Sequence, residues 1–265
     1  MSKITIQTLR QMKQDGEKFT SLTVYDYSFA SVLDKGGIEV LLVGDSLGMV
    51  IQGRDSTLPV SLRDMVYHVR AVKRGAARSL ILADMPFGSS QMGPKPTLKN
   101  AAALMKAGAA AVKLEGGSVM VKTVRYLVRR GVPVCAHLGL LPQSVNQLGG
   151  YRVQGRSDDD ASRIREDALR MQDAGAFAVL LEAVPAPLAR HITQALDVPT
   201  IGIGAGPDCD AQVLVLHDVL GIYPGGSPKF SKNFLAGAGT VQAAVQAYAK
   251  AVRSGEFPAA EHSFS

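Results

Sequence analysis

The sequence has no tryptophan and only two cysteines, Cys135 and Cys209, and aromatic residues make up 6% of its 265 residues. Neither cysteine lies in a CxxC motif or a Cys/His cluster, which argues against a zinc site and a disulfide framework. The sequence also lacks any apolar run of about 18 residues or more, and its N-terminus lacks the apolar core of a secretory signal. We therefore predict a soluble protein of the cytoplasm that does not span a membrane.

The basic residues outnumber the acidic ones, giving a formal net charge of +6. They are scattered along the chain, and no patch interleaves them with aromatic residues as nucleic-acid binders commonly do. The charge predicts at most a steering of anionic ligands. We expect small-molecule substrates and no nucleic-acid partner.

Short apolar runs alternate with amphipathic stretches along the chain. The candidate strands are residues 21–25, 40–44, 80–83, 110–114, 133–136, 178–181, 200–203 and 213–216. Helical spacing of apolar residues marks 61–76, 97–107, 119–130, 158–174 and 186–196. Strands that are apolar on both faces and alternate with helices are typical of a parallel sheet buried on both sides.

Eight strand and helix units in this length predict an α/β fold of the (β/α)8 TIM barrel type. We assign residues 1–265 to a single catalytic domain, with an N-terminal helix at 5–14 and a C-terminal helical extension at 240–254. A doubly wound open sheet is the alternative. That fold commonly carries its glycine-rich phosphate turn after the first strand, whereas the glycines 202, 204 and 206 follow the seventh run.

Polar residues follow the apolar runs at six strand ends. They are Asp26, Asp45, Asp84, Glu115, His137 and Glu182. In a βα barrel these ends meet at one mouth, where barrel enzymes keep their chemistry. Any single acid there could instead cap the next helix. Acids at five strand ends are harder to explain by capping alone.

Carboxylates gathered in a poorly solvated mouth repel one another unless a cation compensates them. With oxygen ligands and no thiolate set, the preferred metal is Mg²⁺, with Mn²⁺ or Co²⁺ as possible substitutes. The sequence therefore predicts a divalent-metal site.

Three further residues have competing interpretations. Lys113 alternates with Glu115 on one strand face, so it could meet a substrate anion, form a Schiff base, or pair with Glu115 or Asp84. Glu182 follows an apolar strand, where desolvation would raise its pKa and suit a proton acceptor, or it could cap a helix before Pro185. His137 could orient a substrate or bond a backbone group.

An ordered set of motifs spans nearly the whole chain. They are LTVYDY at 22–27, VGDSLG at 43–48, ADMPFG at 83–88, AVKLEGG at 111–117, HLGLLPQ at 137–143, LLE at 180–182, GIGAG at 202–206 and QVLVLHD at 212–218. Together they resemble the ketopantoate hydroxymethyltransferase family of the phosphoenolpyruvate/pyruvate barrel superfamily. Ala211 stands where that family commonly has glycine, a change in a loop that we do not expect to affect the chemistry.

The resemblance implies a hydroxymethyl transfer from 5,10-methylenetetrahydrofolate to 3-methyl-2-oxobutanoate, giving 2-dehydropantoate in pantothenate biosynthesis. It implies Asp45 and Asp84 as direct ligands of Mg²⁺, with Glu115 direct or through water. Asp45, Ser46, Asp84 and Lys113 would contact the 2-oxo acid, and Glu182 would be the catalytic base. The family also implies a homodecamer. No motif identifies the residues that bind folate.

Three other functions are alternatives to this one. A related metal-dependent C–C or C–P bond lyase would use similar enolate chemistry, but such lyases commonly carry a cysteine in a mobile catalytic loop. A phosphate-handling isomerase would use the glycine-rich segment 202–206 as a phosphate cradle. A non-catalytic binding or scaffold barrel would show no turnover. Loops 52–59 and 88–96 are candidate lids, although surface variation explains them equally well.

Overall fold

The computed structural model describes residues 2–265 as a closed barrel of eight parallel strands with helices outside. The strands are β1 Phe19–Thr23, β2 Val40–Val43, β3 Leu80–Asp84, β4 Ala111–Glu115, β5 Val134–Gly139, β6 Ala178–Glu182, β7 Thr200–Ile203 and β8 Ala211–Leu214. They pair in sequence order, and β8 closes on β1. The predicted TIM barrel is confirmed. That residues 1–265 form a single domain stays a prediction.

Eleven α-helices are present in the described residues. They are α1 Ile6–Gln14, α2 Tyr27–Lys35, α3 Leu47–Val50, α4 Leu62–Gly75, α5 Pro94–Ala107, α6 Val121–Val128, α7 Val145–Leu148, α8 Asp158–Asp173, α9 Ala186–Ala195, α10 Leu216–Val219 and α11 Val241–Ser254. Single 3-10 turns lie at Ser118–Met120, Pro142–Ser144 and Ala260–His262. No helix in this part of the chain combines the length and apolar content needed to cross a membrane.

Local sequence explains why individual helices form. In α4, Met65, Val69 and Val72 recur at helical spacing and are fully buried, while Ser61 and Asp64 form a reciprocal capping box at its start. In α8, three acidic residues occupy the first turn, where the positive end of the helix dipole favours them. Helix α4 thus presents one apolar face to the barrel.

The C-terminal helix α11 fastens the seam where β8 meets β1. Tyr248 is fully buried, and its hydroxyl donates toward the carbonyl oxygens of Ser21 at 3.0 Å and Gln212 at 2.9 Å. Phe234 and Phe257 pack edge-on around this ring. Burial of three aromatic side chains therefore holds the closing strands and α11 together.

Two predicted strands are displaced by two residues, since β1 and β8 each begin and end two positions earlier than expected. At β8 the cause is Gln212, a buried polar residue whose amide donates to the carbonyl of Gly206 at 3.0 Å. The prediction followed the apolar residues 213–216 instead, and so placed the strand two residues too far along the chain. The backbone N–H of Leu216 donates to Thr23 Oγ1 at 3.0 Å as the chain turns into α10. Helix α2 was not predicted.

Candidate active site

A cavity of about 330 Å³ opens at the carboxyl ends of the strands. Of the residues that the sequence predicted for the site, its lining includes all except Asp26, namely Asp45, Ser46, Asp84, Lys113, Glu115, His137 and Glu182. The barrel therefore brings together side chains that are far apart in the sequence. Asp45 and Glu182, for example, are separated by 182 − 45 = 137 positions. Except for Ser46 and Glu182, which are partly exposed, all of them are buried.

The barrel geometry fixes where these side chains lie. Asp84, Glu115 and Glu182 are the last residues of their strands, so their carboxylates stand at the rim. Gly44 lies between β2 and Asp45, where there is little room for a side chain. A Cβ at this position would lie 2.8 Å from Ser46 Oγ and 3.5 Å from Asp84 Oδ2. Glycine at this position lets Asp45 and Ser46 approach the carboxylate of Asp84.

Lys113 is the cation at the centre of the cavity. Its Nζ lies 3.0 Å from Asp84 Oδ1 and 3.2 Å from His137 Nδ1. Burial lowers the pKa of Lys113, but the charges of Asp84, Glu115 and Asp45 more than offset it, so the pKa lies above its usual value. Lys113 is therefore an ammonium ion at neutral pH.

Two of the carboxyl groups are difficult to ionise. Burial raises the pKa of Asp45 well above its usual value, and the nearby charge of Asp84 raises it further. Burial also raises the pKa of Glu115 to about 8. A single ammonium group does not fully compensate these acids, so the site has a capacity for additional positive charge.

His137 lies between Lys113 and Glu182. Burial, followed by the charge of Lys113, lowers the pKa of His137 well below its usual value, so the ring is neutral. Because an ammonium group can only donate, Nδ1 accepts from Lys113 and the ring proton lies on Nε2. Nε2 is 3.2 Å from Glu182 Oε2. Burial raises the pKa of Glu182 to about 7, which suits a proton acceptor near neutrality.

Ser46 is held by a residue that the sequence did not single out. The hydroxyl of Tyr25 lies 2.9 Å from Ser46 Oγ and donates to Thr23 Oγ1 at 2.8 Å. Burial raises the pKa of Tyr25 well above its usual range, so the phenol stays protonated. Tyr25 thus keeps Ser46 Oγ at the wall of the cavity.

Gln143 is another polar residue at the site that the sequence did not identify. Its side-chain amide donates to Asp45 Oδ2 at 2.8 Å and to the carbonyl of Met85 at 2.9 Å. Its backbone N–H donates to Glu115 Oε2 at 3.0 Å. Gln143 ended the HLGLLPQ motif, but it lies beyond its strand end, in a 3-10 turn, so the strand-end rule could not find it.

A divalent cation is compatible with the donors present, although not as a closed protein cage. Within residues 2–265, no three His, Cys, Asp or Glu side chains form a group that could hold a metal ion by themselves. Asp45 and Asp84 nevertheless face each other closely enough to raise the pKa of Asp45, and Glu115 Oε1 is buried without a hydrogen-bond partner. Mg²⁺ commonly takes one or two carboxylates and completes its shell with water and substrate.

Asp26 is placed differently from the other predicted acids. Its carboxylate accepts from the backbone N–H of Phe29 at 2.9 Å and caps α2. It is not among the residues that line the cavity. For Asp26, capping is therefore the correct interpretation.

The glycine-rich segment 202–206 is filled by the protein itself. A Cβ at Gly204 would lie 3.0 Å from the rings of Phe230 and Phe264, and one at Gly206 would lie 2.4 Å from Ala186. These glycines allow close packing rather than cradle a phosphate. Of the two candidate lids, loop 52–59 contributes Thr57 to the cavity wall.

Relatives of known name cover the whole chain. The protein named 3-methyl-2-oxobutanoate hydroxymethyltransferase from Thiobacillus denitrificans is 62% identical over 98% of this chain and 99% of its own length. The protein of the same name from Nitrosospira multiformis is 58% identical over 99% of this chain and 100% of its own length.

Solved structures of the same fold are more distant in sequence. A 2,3-dimethylmalate lyase superposes with a TM-score of 0.58 at 19% identity, covering 79% of this chain and 80% of its own. A phosphonopyruvate hydrolase complexed with oxalate and Mg²⁺ gives a TM-score of 0.62 at 14% identity, covering 99% and 93%. At these identities the likeness establishes the fold alone.

The family assignment rests on sequence over nearly the full length. Residues 3–260 match the family described as ketopantoate hydroxymethyltransferase. With relatives above 55% identity over at least 98% of the chain, the resemblance seen in the motifs is confirmed. The chain belongs to the ketopantoate hydroxymethyltransferase family of transferase enzymes.

Proposed function

We propose that the chain moves the one-carbon unit of 5,10-methylenetetrahydrofolate to C3 of 3-methyl-2-oxobutanoate, giving 2-dehydropantoate and tetrahydrofolate. The observation that carries this proposal is the pairing, in one cavity, of an ammonium group at Lys113 with a carboxyl group at Glu182 whose pKa is about 7. Together they offer a proton acceptor and a counter-charge for an enolate.

The reaction balances with one water molecule. The C3–H bond breaks and a new bond joins C3 to the methylene carbon, whose two bonds to folate nitrogens are lost. Water supplies the hydroxyl oxygen, and the proton from C3 and the proton from water end on the two nitrogens. The side chains therefore need to accept and return protons, with no oxidant or reductant.

In this scheme the 2-oxo acid lies between Lys113 and Glu182. Lys113 faces the developing negative charge on the keto oxygen, and Asp45, Ser46 and Asp84 line the binding position of the substrate. Glu182 removes the C3 proton. His137 lies between these two groups, with Nδ1 3.2 Å from Lys113 Nζ and Nε2 3.2 Å from Glu182 Oε2. A placed base typically contributes roughly 10²- to 10⁴-fold to the rate.

We also propose Mg²⁺ as the resident metal, with Mn²⁺ or Co²⁺ as substitutes, held by Asp45 and Asp84 directly and by Glu115 directly or through water. When bound, the metal would supply Lewis-acid stabilisation of negative charge on the substrate oxygens. The uncompensated carboxylates and the unpartnered Glu115 Oε1 support this assignment.

The alternative is a metal-dependent C–C or C–P bond lyase, which the fold neighbours favour by shape alone. Such lyases commonly carry a catalytic cysteine in a mobile loop, and neither cysteine of this chain is placed for that role. Cys135 and Cys209 are fully buried, and burial raises their pKa values to about 12 and about 11. The transferase function is therefore better supported by the site.

Assembly as a homodecamer stays a proposal, as does location in the cytoplasm. Several large apolar side chains are well exposed on the isolated chain, among them Val119 at 82%, Met92 at 75% and Tyr67 at 70%. Exposed apolar side chains of this size are common at subunit contacts. Native mass spectrometry of the purified protein would give the subunit number directly.

The proposed function is tested by measuring two steps separately: exchange of the C3 hydrogen and transfer of the one-carbon unit. Purified protein with Mg²⁺ and 3-methyl-2-oxobutanoate in deuterated buffer should exchange the C3 hydrogen, monitored by NMR. Addition of 5,10-methylenetetrahydrofolate should then yield 2-dehydropantoate. Cleavage of the oxo acid, or exchange without any transfer, would contradict the proposal.

A further inference from the structure

The cavity has a second region that the proposed chemistry leaves unused. Opposite the carboxylates of β2 to β4, the ends of β7 and β8 and the segment after α10 form a mainly apolar wall, which we call the distal wall. It consists of Ile203, Val213, Val215, Tyr223, Pro228 and Phe230. Ligand cavities for larger molecules are roughly 300–1,000 Å³, so a cavity of about 330 Å³ exceeds the needs of a small branched oxo acid.

One charged residue, Asp218, lies beside this wall. It belongs to α10, is 5% exposed and lines the cavity. Throughout residues 2–265, no hydrogen bond to its carboxylate and no ion pair with it is present. Burial alone raises the pKa of Asp218 to about 6. A buried carboxylate without a donor is costly, and such groups call for a ligand or water that completes them.

The surroundings of Asp218 restrict what such a ligand could be. The distal wall offers no second carboxylate and no thiolate, so it does not resemble a metal site. Phe230, Tyr223 and Pro228 instead present flat apolar surfaces of the kind on which planar rings stack. A ligand that fits would be a flat heterocycle with adjacent N–H donors on one edge.

We propose that Asp218 and the distal wall bind the pterin ring of the folate donor, an inference that rests on the proposed function. The pyrimidine edge of a pterin carries a ring N–H and an exocyclic amino group side by side. Two parallel donors of this kind match the two oxygens of one carboxylate, as an arginine fork does. The bicyclic ring is held against the distal wall, and its one-carbon unit extends toward Lys113 and Glu182.

The test compares Asp218→Asn with the wild type. The substitution is nearly isosteric and replaces one acceptor oxygen by a donor that opposes the pterin amino group. We expect the Kd for tetrahydrofolate, measured by calorimetry, and the KM for 5,10-methylenetetrahydrofolate to rise roughly 10- to 100-fold, as loss of a bidentate pair does. The KM for 3-methyl-2-oxobutanoate should change far less, because that substrate lies at the other end of the cavity.

Two controls separate binding from folding and from general charge. Asp173→Asn removes an exposed carboxylate at the end of α8 and should leave both KM values unchanged. A simple pterin should compete with tetrahydrofolate for the wild type better than a lumazine, which has oxygen in place of the amino group. The Asp218→Asn variant should lose that preference while retaining the wild-type circular dichroism spectrum.

The outcomes distinguish this inference from the proposed function. If the wild type transfers the one-carbon unit and Asp218→Asn binds tetrahydrofolate as tightly, the pterin site is wrong and the function stands. If the wild type binds tetrahydrofolate through Asp218 but transfers nothing to the oxo acid, the function is wrong and the site stands. Failure of the wild type to bind tetrahydrofolate at all would overturn both.

Discussion

The Nζ atom of Lys113 lies 3.0 Å from Oδ1 of Asp84, with both side chains buried under the mouth of the barrel. This ion pair is one of the interactions that the sequence allowed for Lys113. The nearby carboxylates raise the pKa of Lys113 above its usual value despite its burial. A protonated amine does not attack a carbonyl, so the pair favours electrostatic stabilisation over Schiff-base chemistry.

The first prediction follows from that charge state. Incubation of the enzyme with 3-methyl-2-oxobutanoate and borohydride should leave Lys113 unmodified, as judged by mass spectrometry of the peptide that contains it. Lys113→Met should abolish C3 exchange and destabilise the protein by about 3–5 kcal/mol, since it leaves Asp84 without its partner. A reduced adduct on Lys113 would contradict the electrostatic role.

The second prediction concerns the base. Glu182→Gln keeps the size of the side chain and removes its ability to accept a proton, so C3 exchange should fall by roughly 10²- to 10⁴-fold. The Kd for the oxo acid should change little. Glu166→Gln, an exposed carboxylate on α8, serves as the matched control. Exchange at the wild-type rate in Glu182→Gln would show that another group removes the proton.

A third prediction is the pH dependence of that exchange. Because burial raises the pKa of Glu182 to about 7, the carboxylate form that accepts the proton becomes the main species only above that pH. The exchange rate at saturating oxo acid should therefore rise about tenfold per pH unit below pH 7 and level off above it. A rate that is flat from pH 5 to pH 8 would mean an ordinary carboxyl pKa for the base.

The fourth prediction assigns a positioning role to Gln143. Its amide fixes Asp45, and Gln143→Leu removes that donor while the backbone bond to Glu115 stays. We expect the affinity for Mg²⁺ to fall roughly 10- to 100-fold, which is typical for loss of a residue that orients a metal ligand. Calorimetric titration gives the affinity. Gln91→Leu, which removes the donor to Gln143 Oε1 and the acceptor for the backbone N–H groups of Gly88 and Ser90, should have a smaller effect.

Most of the site was predictable because strand ends in a barrel share one mouth. That rule found Asp45, Asp84, Glu115, His137 and Glu182, which all line the cavity. It failed for Asp26, because β1 ends earlier and the residue caps α2.

The rule could not identify residues that act from turns or short helices. Gln143 reaches the site from a 3-10 turn, and Asp218 from α10, where no periodic pattern marks a position. Tyr25 supports Ser46 through a tertiary contact that spacing does not reveal. The displacement of β8 had a related cause, since the buried Gln212 breaks the apolar pattern on which strand assignment depends.

The fifth prediction links the buried acids to stability without metal. The pKa of Glu115 is raised from 4.5 to about 8, and that of Glu182 from 4.5 to about 7. Between the ordinary and the raised pKa of each group, the folded state binds more protons than the unfolded state. Stability then falls as the pH rises. Below pH 6.5 the lowered pKa values of His137 and His217 act in the opposite direction and offset part of this decline, while the raised pKa values of Asp45 and Asp218 add to it.

In EDTA, the free energy of unfolding should therefore drop by about 2 kcal/mol between pH 6.5 and pH 8, because each pH unit with one extra bound proton is worth about 1.4 kcal/mol. For a chain of this size that is a fall of roughly 4–8 °C in Tm. Glu115→Gln should flatten the profile. Mg²⁺ should raise the Tm more at pH 8 than at pH 6.5, because at the lower pH it competes with protons for the same carboxylates. Equal stabilisation at both pH values would show that these buried acids are not where the cation binds.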